Sequence, residues 1–352
     1  MNINLKIYFI KKKIKSILVN LLSRFSTNSL FNTKNVYIHV VPGNLKYHAK
    51  TFPKFYNEKH EKMNIFYLND TNSGPYGFVA GRTPSNIIWD RYNYTLDNRF
   101  FAHYSIYDFE RVYKLYKSKK NFYIEFESES IVPELIHYDM LKYNNIKDFD
   151  AIFTPHKCIL DKYSNSYFIP GGGVYIGTDF GGGEFNDEQY NKKIKLVSIV
   201  SSNKQSCRLH KERYDLAMRL KNNNKVDTFG TFDGGLQIKI ADSLMDYMYS
   251  IVIENFVSPY YFTEKLLNCF ATHTVPIYVG ASDISKFFNI KGIIQVDEND
   301  INSIIDIVKE LDYSDYIRRK EAIIDNYNRV KKYLCIEDYL YNNYNYLFSD
   351  LH

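Results

Sequence analysis

The sequence predicts an α/β protein built on parallel sheets and divided between two domains. Short apolar runs rich in Val and Ile, such as Lys195–Val200 and Tyr249–Ile253, have the near-continuous hydrophobicity of strands covered on both faces. Between such runs lie stretches with helical spacing, so strand and helix alternate along most of the chain. At 352 residues, the chain has room for two cores of ordinary size.

Composition narrows the function classes. Hydrophobic residues make up 45% and aromatics 17%, with 33 Tyr and 25 Phe, which excludes a disordered chain. The 45 basic and 40 acidic residues leave a net charge of +5. That balance suits an anionic ligand or an anionic membrane surface and does not mark a dedicated nucleic-acid binder. Cys158, Cys207, Cys269 and Cys335 are scattered without C-x-x-C spacing, so neither a zinc site nor a disulfide framework is expected. A reducing compartment, the cytoplasm, is the default.

Taken in order, residues 1–34 form a basic leader. Lys6, Lys11, Lys12, Lys13 and Lys15 interrupt its apolar run. The run falls short of the roughly 20 residues of a spanning helix. A basic amphipathic helix lying on an anionic membrane through residues 1–25 and a solvated leader both fit this pattern. The first domain is expected over 35–190. Val36–Val41 and Asn64–Leu68 read as strands, and Thr71–Arg82, with Gly74, Pro75, Gly77 and Gly81, reads as a surface loop near a crevice. His39, His48, His103 and Arg82 receive no role.

A strand over Phe122–Phe126 delivers Glu127, Ser128 and Glu129 at its end, with Pro133 barring helical continuation. A carboxylate there is either a general base or part of a solvated acidic turn. Residues 149–163 read as strand, turn and amphipathic helix. Ser166–Gly177 is a strand feeding Gly171, Gly172 and Gly173, which lack the P-loop lysine and read as a tight connection. Gly181 to Lys193 has the composition of an interdomain linker.

The second domain is expected over 191–312. The strand Lys195–Val200 ends in Ser201, Ser202 and Asn203, and a helix over Leu209–Leu220 follows. Arg208, His210, Lys211 and Arg213 sit at its amino end, where cations oppose the helix dipole unless they meet an anion. Val226–Gly230 is a strand and Ile238–Tyr247 a helix. Tyr249–Ile253 then ends abruptly at Glu254 and Asn255. Thr263 caps a helix carrying Glu264 and Lys265 in its first turn, and Val275–Val279 returns as a strand. In such a β-α-β unit, strand carboxyl ends and the helix amino end open into one crevice suited to a diphosphate. A helix over Ile284–Phe288, a strand over Gly292–Val296 and a helix over Asp300–Leu311 complete the alternation. Residues 313–352 are helical in pattern, and they either pack back across the first domain or meet a membrane.

Glu254-Asn255 through Tyr261, Thr263, Glu264 and Lys265, followed by VPIYVG, resembles the signature of the alpha-1,3-fucosyltransferase family. VDTFG (Val226–Gly230) and KLVSIVSSN (Lys195–Asn203) occur in the family's order. The resemblance spans roughly residues 121–296. It implies the GT-B arrangement, two Rossmann-like domains with parallel sheets facing across a cleft, and transfer of fucose from GDP-fucose to a hydroxyl of a glycan acceptor. Residue by residue, Lys265 matches the diphosphate-binding lysine, Glu264 the ribose-binding carboxylate and Tyr261 a ring close to the nucleotide. Glu254 and Asn255 match the crevice pair before that loop. Arg208 matches the phosphate-binding arginine, with Arg213 as the alternative because the spacing to Tyr214 departs from the family pattern. Glu127 matches the general base. Glu129 replaces the family's proline, which leaves Glu127 and Glu129 both open.

These residue types suit an inverting transfer. One carboxylate takes the acceptor proton and cations stabilise the departing diphosphate. With no D-x-D motif at a strand end, no cofactor is expected to be obligatory, and stimulation by Mg²⁺ or Mn²⁺ remains compatible. A GT-B enzyme using another nucleotide sugar, such as an exostosin-like one, and a non-catalytic glycan-binding relative are the alternatives.

Overall fold

The computed structural model describes residues 63–68, 82, 84–90, 98–102, 120–125, 127–131 and 149–347. The leader, the strand expected from Val36, His39, His48 and His103, most of the loop 71–82, Phe126 and Pro133 lie outside the described residues.

Two all-parallel sheets organise the chain. In the first, β1 (Met63–Leu68), β2 (Ile87–Asp90), β3 (Asn98–Ala102), β4 (Lys120–Ile124), β5 (Ala151–Thr154) and β6 (Ser166–Phe168) lie in the order β2-β1-β3-β4-β5-β6. Helix α1 (Lys157–Lys162) makes the crossover from β5 to β6. In the second, β7 (Lys195–Val200), β8 (Val226–Phe229), β9 (Tyr247–Ile253), β10 (Val275–Val279) and β11 (Ile294–Gln295) lie in the order β11-β10-β9-β7-β8. The parallel α/β class and the division between two sheets are those expected from sequence.

All seven residues of β9 are buried, because it is the central strand of a sheet covered on both faces. On one face Val197, Ile199, Ile251 and Ile277 meet Leu216 and Leu220 of α2 (Arg208–Leu220) and Ile304 and Val308 of α4 (Ile304–Glu310). On the other, Val252 and Tyr278 meet Leu266 and Phe270 of α3 (Glu264–Ala271). Each such fully buried side chain contributes about 1.5–3 kcal/mol.

The structure corrects three elements. The helix expected over Ile238–Tyr247 is a single 3₁₀ turn at Ile240–Ser243, and β9 already begins at Tyr247. Tertiary partners claim the carbonyls a longer helix would use: Lys193 Nζ and Thr274 Oγ1 donate to Leu244, and the amides of Ile194 and Lys195 to Asp246. Likewise the helix near Ile284 is a 3₁₀ turn, and the strand expected from Gly292 is two residues long. The segment read as a linker is docked on the second unit. Ala241 N donates to Gly181 O, and Tyr190 stacks on Tyr316 at 5.1 Å.

Past α5 (Tyr313–Arg318) and α6 (Lys320–Val330), the chain returns to the first sheet. Ile336 and Leu340 of α7 (Ile336–Tyr344) pack with Phe122, Ile124, Ala151 and Phe153. Asp338 Oδ1 accepts from the amides of Ser85 and Asn86 at 2.8 and 3.1 Å, and Tyr344 donates to Phe168 O at 2.7 Å. Of the two expectations for this segment, it packs back across the first unit.

Candidate active site

In the second sheet, chain order reverses between β7 and β9, so their carboxyl ends open a crevice at the topological switch point. Register carries β9 one residue past its last pair: Val279 faces Ile253, and Glu254 N donates to Val279 O. The chain then leaves the sheet, and the Glu254 side chain is fully buried beneath the loop that follows.

Thr263 joins Glu254 to the start of α3. Its amide and hydroxyl both donate to the Glu254 carboxylate, at 2.9 and 2.8 Å, while its Oγ1 accepts the Lys265 amide as the helix cap. Lys265 Nζ lies 3.0 Å from Glu264 Oε1 and 3.4 Å from Glu254 Oε2. A buried carboxylate is costly unless paired and hydrogen-bonded, and Glu254 has both kinds of partner. Burial disfavours the charge on Lys265, but Glu264 and Glu254 outweigh it and hold the ammonium above its ordinary value. Burial also opposes ionisation of Glu264, yet Lys265 holds that carboxyl below its usual range. For Glu254, burial prevails over Lys265 and pushes the carboxyl up.

The glycine turn after β6 presses on this helix start. Gly171 N donates to Phe262 O at 3.0 Å, and a Cβ on Gly172 would sit 2.9 Å from Glu264 N and 3.1 Å from Glu264 Oε2. Only glycine lets the turn lie so close. Arg82 fixes the far side of the turn by donating to the carbonyls of Val174 and Ile176.

The two candidate arginines part company. Arg208 is half exposed and pairs with Glu298 at the rim. Arg213 is buried, donates to Ile253 O at 3.0 Å and lies within the field of Glu254 and Glu264. Beside it, His210 is 7% exposed, and burial followed by the charges of Arg213, Lys265 and Lys204 lowers its pKa to about 4. Arg213 Nε, His210 Nδ1 and Asn255 Oδ1 are buried without hydrogen-bond partners among the described residues.

From the first unit, β4 delivers Glu125 and then a turn at residues 127–131. Ser130 Oγ donates to Asn255 O at 2.8 Å, which stitches this turn to the crevice. Burial, and then the charge of Glu264, push the Glu127 carboxyl up, while Lys265 pulls it down. The Glu127 carboxyl therefore lies within the field of the Glu264–Lys265 pair, which belongs to the other unit. Tyr261 is buried in the seam between the units, its ring 5.8 Å from His156 and nearly parallel to it. Glu125 is fully buried with neither carboxyl oxygen partnered among the described residues, and burial, then Glu129, raise its pKa to about 8.

Glu127, Arg213, Glu254, Asn255, Tyr261, Glu264 and Lys265 are thus gathered around one crevice, and Arg208 stands at its edge. Sequence reasoning passed over two neighbours, His156 and Tyr175, and gave a third, His210, no role of its own. His156 follows β5, the strand beside β4, and pairing those two strand ends would have pointed to it. Tyr175 follows the glycine turn and lies in the fields of Glu264, Lys265 and Glu127. His210 was hidden among the other basic residues at the start of α2. Among the described residues, no group of three or more His, Cys, Asp or Glu side chains is placed to hold a metal ion.

Comparison with known proteins shows what this crevice is similar to. The family model "Glycosyltransferase family 10 (fucosyltransferase) C-term" matches residues 190–345. An alpha-(1,3)-fucosyltransferase, FucT, of Helicobacter pylori is 29% identical over 130 residues, 36% of this chain. That segment spans 26% of the Helicobacter protein's length. Among solved structures, an alpha1,3-fucosyltransferase with GDP gives a TM-score of 0.49 at 15% identity, covering 90% of this chain and 94% of that one. The same enzyme class with GDP-fucose gives 0.46 at 15% identity, covering 88% and 96%. Residues 190–345, which hold the crevice from β7 to α3, thus match the C-terminal domain of glycosyltransferase family 10, the fucosyltransferases.

Proposed function

We propose that the chain is an inverting fucosyltransferase that transfers fucose from GDP-fucose to a hydroxyl of a glycan acceptor, in the manner of an alpha-1,3-fucosyltransferase. The observation that carries this reading is a carboxylate from one unit, Glu127, lying within the field of a Glu264–Lys265 pair at a helix amino end in the other. In this reading Glu127 takes the proton of the acceptor hydroxyl as that oxygen attacks the anomeric carbon, on the face opposite the departing diphosphate. Lys265, the amino end of α3 and Arg213 offset the charge that develops on the leaving group. Glu264 binds the ribose, Tyr261 and Asn255 shape the loop around the nucleotide, and Glu254 anchors Thr263. Arg208 acts at most at the rim. Glu127 is taken as the base because its carboxyl feels both Glu264 and Lys265.

The same reading needs no obligatory metal, since two cations already serve the diphosphate; full turnover in EDTA tests it. From the scattered cysteines and the basic leader we further propose a cytoplasmic location, with residues 1–25 on an anionic membrane surface. Sedimentation with anionic but not neutral vesicles checks that contact.

The deciding experiment offers GDP-fucose and UDP-sugars with a panel of glycan acceptors and follows thermal stabilisation by GDP and UDP. Transfer from GDP-fucose with stabilisation by GDP is expected. Stabilisation by UDP alone would overturn the donor assignment. Glu127→Gln is expected to lower kcat at least about 100-fold while GDP still binds.

A further inference from the structure

A general base must be held within a fraction of an ångström of its working position. Glu127 sits on an irregular turn rather than on a helix or strand. That turn closes on itself through Ile131 N to Ser128 O at 3.1 Å and through the Ser128 and Ser130 hydroxyls at 2.9 Å. Neither contact fixes the backbone of Glu127.

His156 does. Its Nε2 lies 2.7 Å from Glu127 O. Because a carbonyl only accepts, Nε2 carries the proton and donates. The imidazole is itself clamped: His156 is 1% exposed, its backbone amide donates to Thr154 Oγ1 at 3.2 Å, and its ring stacks on Tyr261 with 11° between the planes. Tyr261 is 2% exposed and stands two residues before the Thr263 cap that sets Glu264 and Lys265. One ring therefore touches both the backbone of the base in the first unit and the loop that leads to the cations in the second.

We propose that His156 is a positioning residue for the transfer: by holding the Glu127 carbonyl and resting on Tyr261, it sets the base at a fixed distance from the Glu264–Lys265 pair. The proposal rests on the reading of Glu127 as the base. It assigns the hydrogen bond and the stack separable shares of one task, and it makes kcat rather than donor binding the quantity His156 controls.

The test uses the full chain with His156→Ala, His156→Gln, which keeps an N–H donor at similar reach, and His156→Phe, which keeps the stack alone. With GDP-fucose and an acceptor, His156→Ala is expected to lower kcat about 10- to 100-fold, with KM for the donor changed less than about threefold. His156→Gln should recover about tenfold of that loss, and His156→Phe less. Because burial holds the Glu127 carboxyl up, a loosened, wetter turn should move the acid limb of kcat/KM to lower pH. A kcat within about twofold of wild type in His156→Ala would overturn the proposal. So would equal losses in all three variants accompanied by lost GDP binding, the pattern of a purely structural histidine. Glu127→Gln, run alongside, separates the two claims. Full activity there removes the base itself, whereas an inactive Glu127→Gln beside a fully active His156→Ala removes only the positioning role.

Discussion

Replacing Lys265 with Met removes the ammonium that lies 3.0 Å from Glu264 and 3.4 Å from Glu254 and keeps most of the side-chain volume. In the wild type, Lys265 and Arg213 are the two cations of the crevice that can meet a diphosphate. In the variant only Arg213 remains. Two unit charges about 4 Å apart interact by about 4 kcal/mol at the effective dielectric of a protein surface. With the Lys265 side chain 30% exposed, about 3 kcal/mol of leaving-group stabilisation is a fair share, or about 100-fold in kcat. The loss falls mainly on kcat because the charge on the bridging oxygen grows in the transition state. Folding should survive, since Glu254 keeps both bonds from Thr263 and can take up a proton. Steady-state kinetics with GDP-fucose, calorimetric GDP binding and a thermal melt read the three quantities. Lys265→Arg should retain more activity than Lys265→Met. A Lys265→Met enzyme with kcat within about threefold of wild type and unchanged GDP affinity would refute the electrostatic assignment.

The arginines give a paired prediction: Arg208→Ala breaks a half-exposed ion pair worth at most about 1 kcal/mol and leaves donor KM nearly unchanged, whereas Arg213→Ala raises it at least about tenfold. Gly172→Ala must push the glycine turn off Glu264, at a cost of about 1–3 kcal/mol, and donor affinity measured by GDP titration should fall with it. Glu125 supplies a pH test. Its folded pKa of about 8 stands above the unfolded value, so the folded state holds the extra proton and stability falls as pH rises through that window. Urea melts should show the wild type losing up to about 5 kcal/mol between pH 4.5 and 8, a loss absent in Glu125→Gln. For catalysis, the acid limb of wild-type kcat/KM should lie above the ordinary glutamate range, because burial and Glu264 hold the Glu127 carboxyl up.

Much of the second unit was legible from residue types alone. The apolar runs at Lys195 and Tyr249, the Thr263 cap and the polar break at Glu254 are local signals, and each became a strand, a helix start or a crevice lip at its expected place. The failures were local as well. The helix expected over Ile238–Tyr247 gave way because Lys193 and Thr274, distant in sequence, take its carbonyls.

What the sequence determined by itself is the parallel α/β class, the succession of strands and helices along the second unit, and the polar break at Glu254 with the Thr263 cap, because periodicity and caps depend on near neighbours; the roles of the crevice residues came from the family resemblance. Only the tertiary structure decided which arginine is buried beside the carboxylates, that α7 returns to the first sheet, and that His156 and Tyr261 meet across the seam. Those facts depend on contacts between residues roughly a hundred positions apart, such as His156 with Tyr261 and Ser130 with Asn255, and no local pattern in the chain encodes which distant side chains will touch.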